Sequence, residues 1–288
     1  MDYGPPAPAW VAADTDEPAT TPARPWTARR RVDLGMPQLD GCGLSETWLQ
    51  ATCGDIHWRG LAHSLGRPAE RWADATGRRV YAAFGLVRLR GARLGDAAEG
   101  QGLHIRSQLV PVGRSQAWSR HRLASATGSV GVLDMLSVFV GRGDDGSNRS
   151  VRRVAMREQA PAPAEAAATA LVAHARAWRL AALPAPVSEP LRFMPCPRGD
   201  FNGAGLVYFP RFSAWADRAL FGWGLLGQAD RVVERECLFR GNLDVGDPVE
   251  IVLLGTSDGP GGRCCEVAVR CPSHGRLLAR IRTTAAAT

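Results

Sequence analysis

A glycine-rich turn at residues 199–205 is the clearest place in this sequence for chemistry on a carbonyl oxygen or an anion. It combines the side chains of Asp200 and Asn202 with the flexible backbone of Gly203 and Gly205. Apolar residues then recur at spacings of three and four through residues 209–223, which predicts a largely buried helix. A turn that leads into a helix can direct several backbone N–H groups at one point, where they bind negative charge. The alternative is a plain connecting turn before a core helix.

A second helical pattern, over residues 45–65, carries the side chains of Asp55 and His57. Ser45 stands at its predicted start, where a serine hydroxyl accepts a hydrogen bond from the first turn of a helix. A carboxylate and an imidazole are common general bases, so both are candidates for acid–base chemistry. A single histidine on a largely buried helix is more often a hydrogen-bonded core residue, and both interpretations stay open.

The basic residues favour some partners and exclude some chemistry. The 288 residues include no lysine, and the formal net charge is +7. Without lysine, the chain can form no lysine Schiff base and has no Walker-type phosphate-binding lysine. Arginine binds phosphates and carboxylates in bidentate geometry, which suits a nucleotide-bearing cofactor or an acidic protein. No nucleic-acid-binding motif accompanies the charge, so no nucleic acid is predicted as a partner.

The cysteines and the apolar segments indicate the cellular location of the protein. The seven cysteines are odd in number and include no CxxC pair, so the sequence predicts neither a disulfide framework nor a metal site. No apolar stretch approaches the roughly 18 residues of a membrane helix. Residues 1–18 are acidic and proline-rich, unlike a signal peptide. We therefore expect a cytoplasmic protein with no membrane association.

The predicted elements repeat, because a helix followed by four strands occurs twice. The strands are predicted at residues 78–90, 103–112, 115–124 and 129–140, and again at 231–240, 248–256, 263–271 and 276–283. Each antiparallel sheet would wrap around its own helix, and the two sheets would join at their edges. The sequence thus predicts an α+β protein with four parts. These are a disordered tail at residues 1–31, halves at 32–154 and 191–284, and a linker at 155–190 with an alanine-rich helix at about 164–183.

Several motifs resemble known families. The run DFNGAGLVYF at residues 200–209 is similar to the segment before the helix in many hot-dog proteins, among them thioesterases that act on acyl-CoA. In the first half, LGMPQL at 34–39, GLSETWL at 43–49, CGDIHW at 53–58 and RVYAAF at 79–84 resemble the leinamycin-type bifunctional acyltransferase/decarboxylases of polyketide biosynthesis. The resemblance spans residues 32–284. It implies a double hot-dog fold, in which two long central helices are each wrapped by an antiparallel sheet and the sheets join as a pseudo-dimer.

The resemblance also implies a reaction. Methylmalonyl-CoA would acylate a tyrosine and lose CO2, and the propionyl group would pass to the phosphopantetheine thiol of an acyl carrier protein. No cofactor is needed besides the CoA thioester substrate, and a homodimer is compatible with this family. Tyr81 lies in a matching motif and is the expected nucleophile, while Tyr208 is the alternative and Tyr3 falls in the predicted tail.

The residues expected around this tyrosine are bases or orienting groups, donors to the enolate oxygen, and apolar side chains for the departing carboxylate. The candidate bases or orienting groups are Asp55 and His57. The candidate donors are Asn202, Gly203, Gly205 and the helix start at Ser45. The candidate apolar side chains are Trp58, Trp48 and Phe84. The phosphates of CoA and an acidic carrier protein both call for arginine. The candidates are Arg78, Arg79, Arg211 and Arg218.

Two other functions remain open from the sequence. A hot-dog thioesterase or dehydratase would use Asp55 or His57 together with water. A non-catalytic module that binds a carrier protein would keep the fold without the chemistry. In the first of these Tyr81 would be structural, filling space in the core with its hydroxyl hydrogen-bonded.

Overall fold

The computed structural model describes residues 11–12, 25–156 and 165–287. Within them, the α-helices are α1 (Glu46–Ser64), α2 (Ala166–Leu180) and α3 (Pro210–Gly222). The strands before α2 are β1 (Val11–Ala12), β2 (Trp26–Asp33), β3 (Leu39–Asp40), β4 (Gly43–Leu44), β5 (Val80–Arg90), β6 (Gly102–Val112), β7 (Gln116–Ser125), β8 (Gly128–Gly141) and β9 (Arg152–Arg153). Those after α2 are β10 (Leu191–Phe193), β11 (Arg231–Phe239), β12 (Val249–Gly259), β13 (Gly262–Cys271) and β14 (Arg276–Ala286).

All of these strands except β3 and β4 belong to one antiparallel sheet. The order across the sheet is β1-β2-β6-β7-β8-β5-β11-β14-β13-β12-β10, and β9 pairs with β8. Strands of the first half therefore form one side and strands of the second half the other. The halves join where residues 86–89 of β5 pair with residues 235–238 of β11.

The central helices each pack against the strands of their own half and against each other. Helix α1 contacts β2, β6, β7 and β8, whereas α3 contacts β12, β13 and β14. Their close approach depends on Gly54 of α1, where an added Cβ would lie 3.0 Å from the ring of Phe209. Helix α2 covers the opposite face of the sheet, where Leu171 and Trp178 pack with Trp118.

The structure confirms the predicted α+β class with a large antiparallel sheet. The predicted helices and the eight predicted strands are present, with ends within a few residues of the expected positions. Ser45 caps α1 as predicted, because it accepts a hydrogen bond from Trp48 N at 3.4 Å. None of the helices in the described part of the chain is long and apolar enough to cross a bilayer.

The prediction of a disordered tail over residues 1–31 is wrong for its last part. Strand β2 pairs with β6 along its whole length, and β1 pairs with β2. The alternating positions Trp26 and Ala28 hold β2 in place, and the Trp26 ring lies so close to Gly60 of α1 that an added Cβ would meet it at 2.6 Å. The rest of the predicted tail, residues 1–10 and 13–24, lies outside the described residues.

Arg235 of β11 connects the two central helices inside the core, with 1% of its side chain exposed. Its guanidinium donates to Glu46 of α1 at 3.0 Å, to Asp217 of α3 at 2.6 Å and to Thr283 of β14 at 3.1 Å. Burial lowers the pKa of Arg235, but the attraction of Asp217 and Glu46 outweighs it and raises the pKa above its usual range. One buried cation thus holds elements of both halves together.

We expect Arg235→Met to lower the free energy of unfolding by about 3–5 kcal/mol, because Glu46 would be left buried without its cation. Denaturant unfolding measures the change. Arg263→Met is the matched control: its ion pair with Asp258, 3.5 Å long, is exposed, and we expect a change below about 1 kcal/mol. Equal losses for the two variants would show that Arg235 is not a structural hub.

A chain of buried hydrogen bonds runs from His57 on α1 into the first-half sheet. The ring of His57 contacts Ser119 Oγ at 2.7 Å and Ser137 Oγ at 2.8 Å. Ser119 also contacts His121 at 2.9 Å, and His121 reaches Ser107 at 2.8 Å. Burial lowers the pKa of His121 to about 3, and burial together with His121 lowers the pKa of His57 well below its usual range. Both imidazoles are therefore neutral and hydrogen-bonded in the core.

These two histidines predict acid lability. Their folded pKa values lie below the ordinary 6.5, so the unfolded chain binds more protons and stability falls as the pH drops from about 6.5 towards 3. From pH 7 to pH 5 we expect His121 alone to account for a loss of about 2 kcal/mol. His121→Gln should flatten the dependence of unfolding free energy on pH, whereas His63→Gln, at an exposed position, should not. An unchanged slope in His121→Gln would contradict the assignment.

Candidate active site

The candidate site begins at a part of β5 that has no strand beside it on one side, among the described residues. Because β5 pairs with β11 only over residues 86–89, residues 80–85 extend beyond the junction. On that open side Val80 N donates to Trp72 O and Ala82 O accepts from Trp58 Nε1, both at 3.0 Å. The N–H and C=O of one strand residue point the same way. The Ala82 N–H is therefore directed to the open side as well.

The glycine-rich turn faces this open side and is organised by Asn202. Its Oδ1 accepts from the N–H groups of Ala204 and Leu206 at 3.0 and 3.2 Å, and its carbonyl accepts from Gly205 N at 2.8 Å. Gly205 has φ of +70°, a conformation that favours glycine. Since Oδ1 is held by the turn, the Nδ2 group of Asn202 remains as a donor towards a ligand.

Two adjoining cavities open between the turn and the sheet, with volumes of about 370 and 720 Å³. They share four lining residues, which are Trp58, Ala82, Asn202 and Leu206. The smaller cavity also contains Tyr81, Tyr208, Trp72, Arg79 and Gly203. Six residues that the sequence analysis named therefore meet at one place: Tyr81, Tyr208, Trp58, Asn202, Gly203 and Arg79.

Two cations lie over the ring of Tyr81. The guanidinium carbon of Arg79 lies 5.3 Å from the centre of the Tyr81 ring, and that of Arg142 lies 5.4 Å from it. Arg142 is itself fixed, since it donates to the carbonyl of Ala204 and to Asn148 Oδ1. The arrangement links the tyrosine to the glycine-rich turn and places positive charge where a phenolate would need it.

Tyr208 lies in a different electrostatic setting. Burial, followed by the negative charge of Asp55, raises the pKa of Tyr208 above its ordinary value. Asp55 itself is half-exposed, pairs with Arg59 at 2.8 Å and lines neither cavity. It acts on the site only through its charge.

The other predicted site residues have structural positions. His57 is held in the core by two serine hydroxyls, Ser45 caps α1, and neither lines a cavity. Gly205 also lies outside both cavities, and its amide and carbonyl are hydrogen-bonded to Asn202 and Asn148. Asp200 accepts from Trp215 Nε1 and Cys196 N, which fixes the turn. The geometry gives these residues no direct contact with a ligand in the cavities.

Two of the turn amides expected to hold a substrate oxygen, those of Ala204 and Gly205, are hydrogen-bonded within the turn itself. Helix α3 begins at Pro210, five residues after Gly205, and the amides of Ala204, Gly205 and Leu206 are bonded to Asn202. The donors beside the cavities include the side-chain amide of Asn202, the N–H of Gly203 and the N–H of Ala82. Sequence patterns give no sign of Ala82, because its role depends on where the β5–β11 pairing stops.

The start of α1 is the other helix start that the sequence indicated as a source of donors, and protein fills the space beside it. A Cβ on Gly43, whose φ is +115°, would lie 2.4 Å from the carbonyl oxygen of Leu94. Arg231 donates to Cys42 O at 2.9 Å, and Ala92 N donates to Val233 O at 2.9 Å. This helix start therefore has no room for a substrate against Gly43.

Arginines line the mouth of the larger cavity, and the sequence analysis did not single them out. They are Arg152, Arg153, Arg176, Arg179 and Arg240. Of the four predicted phosphate ligands, only Arg79 lines a cavity. Arg78 pairs with Asp144, and Arg218 stacks on Phe193. In the sequence, only the adjacent pair Arg152-Arg153 indicated a cluster of arginines. The other three arginines come from α2 and from the end of β11, which are distant in sequence.

The described residues include one cluster with metal-ligand chemistry, formed by Asp247, Cys271 and His274. Asp247 lies within 4.0 Å of Arg149 Nε, and a cation so close opposes binding of a metal ion. None of these residues lines either cavity.

Comparison with solved structures identifies the fold of this chain. No protein-family model matches the sequence, and no curated protein resembles it in sequence. Among solved structures, the 12:0-ACP thioesterase of Umbellularia californica has a TM-score of 0.65 at 11% identity, covering 91% of this chain and 94% of that one. A protein of Lactobacillus plantarum described as an oleoyl thioesterase has a TM-score of 0.66 at 12% identity, covering 93% and 98%.

A third similar structure is an acyl-ACP thioesterase from Bacteroides thetaiotaomicron. Its TM-score is 0.60 at 10% identity, and the match covers 90% of this chain and 98% of that one. At such low identities the similarity concerns the fold alone. This chain therefore shares the hot-dog architecture of these thioesterases over nearly its whole length.

Proposed function

We propose that this chain is an acyltransferase with decarboxylase activity and that Tyr81 is its nucleophile. The composition of the two cavities carries the proposal: within the described residues, no carboxylate, imidazole, thiol or aliphatic hydroxyl lines either of them. A thioesterase or dehydratase needs a base that activates water or removes a proton. The phenols of Tyr81 and Tyr208 are the nucleophilic side chains that line these cavities.

Electrostatics favours Tyr81 over Tyr208. The guanidiniums of Arg79 and Arg142 over the Tyr81 ring can balance the negative charge of a phenolate. At Tyr208, burial, followed by the negative charge of Asp55, raises the pKa of the phenol. A phenol must lose its proton to attack a thioester, so the better-placed nucleophile is Tyr81.

The proposed reaction starts when the Tyr81 phenol gives its proton to solvent water and the resulting phenolate oxygen attacks the thioester carbonyl of methylmalonyl-CoA. The carbon–sulfur bond breaks, CoA leaves as its thiolate, and a tyrosyl ester forms. The bond between the α-carbon and the free carboxylate then breaks, and CO2 leaves. The electron pair of that bond forms an enolate, which takes a proton from water. The thiolate of a carrier protein's phosphopantetheine arm finally attacks the propionyl ester and releases the Tyr81 phenolate.

Two donors near Tyr81 can hold the enolate oxygen. They are Asn202 Nδ2 and the Ala82 N–H, and one such donor supplies about 3 kcal/mol of transition-state stabilisation. Trp58 and Trp72 give the smaller cavity an apolar wall. A carboxylate held against that wall loses solvation, which favours its departure as neutral CO2.

The repeated order of elements supports a finer proposal for the fold. We infer two hot-dog halves with α1 and α3 as their central helices, joined at the β5–β11 pairing as a pseudo-dimer. In this arrangement the site draws the glycine-rich turn from the second half and Tyr81 from the first. Each half supplies what the other lacks.

Tyr81→Phe should abolish the acyl-protein adduct that forms with methylmalonyl-CoA and lower propionyl transfer to a carrier protein by roughly 10³-fold or more, the scale of losing a covalent nucleophile. Intact-mass spectrometry detects the adduct and the acylated carrier. Tyr208→Phe is the matched control and should keep both. An adduct in Tyr81→Phe, or its loss in Tyr208→Phe only, would sink the assignment.

The fold likeness to thioesterases favours hydrolysis of an acyl thioester as the second candidate function. Water would then attack the thioester, and Tyr81 would be structural. The same experiment separates the two functions. Release of free acid at equal rates by the wild type and Tyr81→Phe would establish the thioesterase.

Asn202→Asp should lower kcat by about 10²–10³-fold, because the variant keeps the Oδ1 acceptor of the turn but loses the Nδ2 donor to the enolate oxygen. Steady-state kinetics measures the effect, and the unfolding temperature should stay close to that of the wild type. Asn242→Asp is the control, since Asn242 Oδ1 accepts from Val207 N at 2.8 Å in a similar turn contact. Equal losses in the two variants would assign Asn202 to structure alone.

A further inference from the structure

Five arginines at the mouth of the larger cavity form a site that has no role in the bond-making and bond-breaking steps at Tyr81. We call them the arginine mouth: Arg152 and Arg153 of β9, Arg176 and Arg179 of α2, and Arg240 after β11. All five are exposed at the surface. Three separate segments of the chain bring their charges together at one opening.

No carboxylate neutralises this cluster within the described residues. Arg179 donates to the carbonyl of Phe239 at 2.9 Å, and Arg240 donates to the carbonyl of Arg179 at 2.9 Å, so backbone contacts fix both side chains. Partial burial of its guanidinium against the protein, followed by the neighbouring charges of Arg240 and Arg153, lowers the pKa of Arg179. Fixed like charges at short range repel one another, and a bound anion removes that cost.

The cavity behind the mouth is largely apolar and leads to the reacting groups. Its walls include Leu136, Val138 and Phe84, and its inner end is lined by Asn202 and Ala82, which also line the cavity of Tyr81. A volume of about 720 Å³ is in the range that holds a ligand of moderate size. The fitting ligand has an anionic group at one end and its reactive group at the other.

We propose that the arginine mouth binds the phosphate of the phosphopantetheine arm while the thioester lies between Asn202 and Tyr81. The proposal rests on the proposed function, because it assigns the carrier of the acyl group at that same site. Arginine suits this ligand, since its guanidinium binds phosphate oxygens in bidentate geometry. CoA and a holo carrier protein share this phosphate and differ in what lies beyond it.

The test compares the binding of pantetheine and phosphopantetheine by calorimetry, with no turnover required. The wild type should bind phosphopantetheine at least about 10- to 100-fold more tightly, the scale of one or two charge-assisted hydrogen bonds. Arg153→Gln combined with Arg176→Gln should remove that difference and leave pantetheine binding unchanged. Neither side chain has a structural hydrogen bond among the described residues, so the variant should stay folded.

Arg106→Gln combined with Arg122→Gln is the matched control. These arginines face each other across β6 and β7, are exposed and line neither cavity. The control removes the same charge from another surface and should keep the full preference for phosphate. If both double variants lost the preference for phosphopantetheine equally, the preference would depend only on the net charge of the protein, and the proposal would be overturned.

Two further arms separate the sources of the phosphate. CoA and a holo carrier protein are each titrated against the wild type and the mouth variant. A loss of affinity for both ligands supports the proposal, because they share the phosphopantetheine phosphate. A loss confined to CoA would overturn it, because the mouth would then bind the part of CoA that the carrier protein lacks. Equal affinity of the wild type for pantetheine and phosphopantetheine would refute the proposal. Failure of acyl transfer with the preference intact would refute only the proposed function.

Discussion

The short pairing between β5 and β11 is the constraint on which the candidate site depends. Only residues 86–89 of β5 have β11 beside them, and the register of β5 against β8 shifts between Phe84 and Leu86. Buried backbone groups must be hydrogen-bonded, so the remaining edge of β5 takes its partners from Trp72 and Trp58. The gap that a continued β11 would have filled becomes the two cavities.

Charge in this protein is distributed so that cations and carboxylates rarely meet near the cavities. Carboxylates are used inside the structure, where Glu46 and Asp217 hold Arg235 and thereby join the central helices. Around the cavities arginine is found without them, over the ring of Tyr81 and at the mouth. Among the described residues, the linings of the two cavities therefore carry positive charge and no carboxylate, an arrangement that attracts anions.

Local patterns predicted the elements well and the site only in part. Period and capping residues located α1, α3 and the eight main strands, because those signals lie within a few residues of each other. The position of His57 could not be decided from sequence, since the hydroxyls that hold it, Ser119 and Ser137, come from β7 and β8. Strand β2 was missed because its arginines resemble a solvated tail until β6 pairs with them.

The two helix starts show how a duplicated pattern can diverge. At α3 the turn is held by its own Asn202 and leaves a cavity beside β5. At α1 the segment with Leu94 packs against Gly43. The carboxylate of Glu46, the first helical residue, accepts a hydrogen bond from Arg235. A buried ion pair needs a dry, filled surrounding, whereas a site needs an opening. One helix start can therefore carry the stability of the joined halves while the other stays free for a ligand.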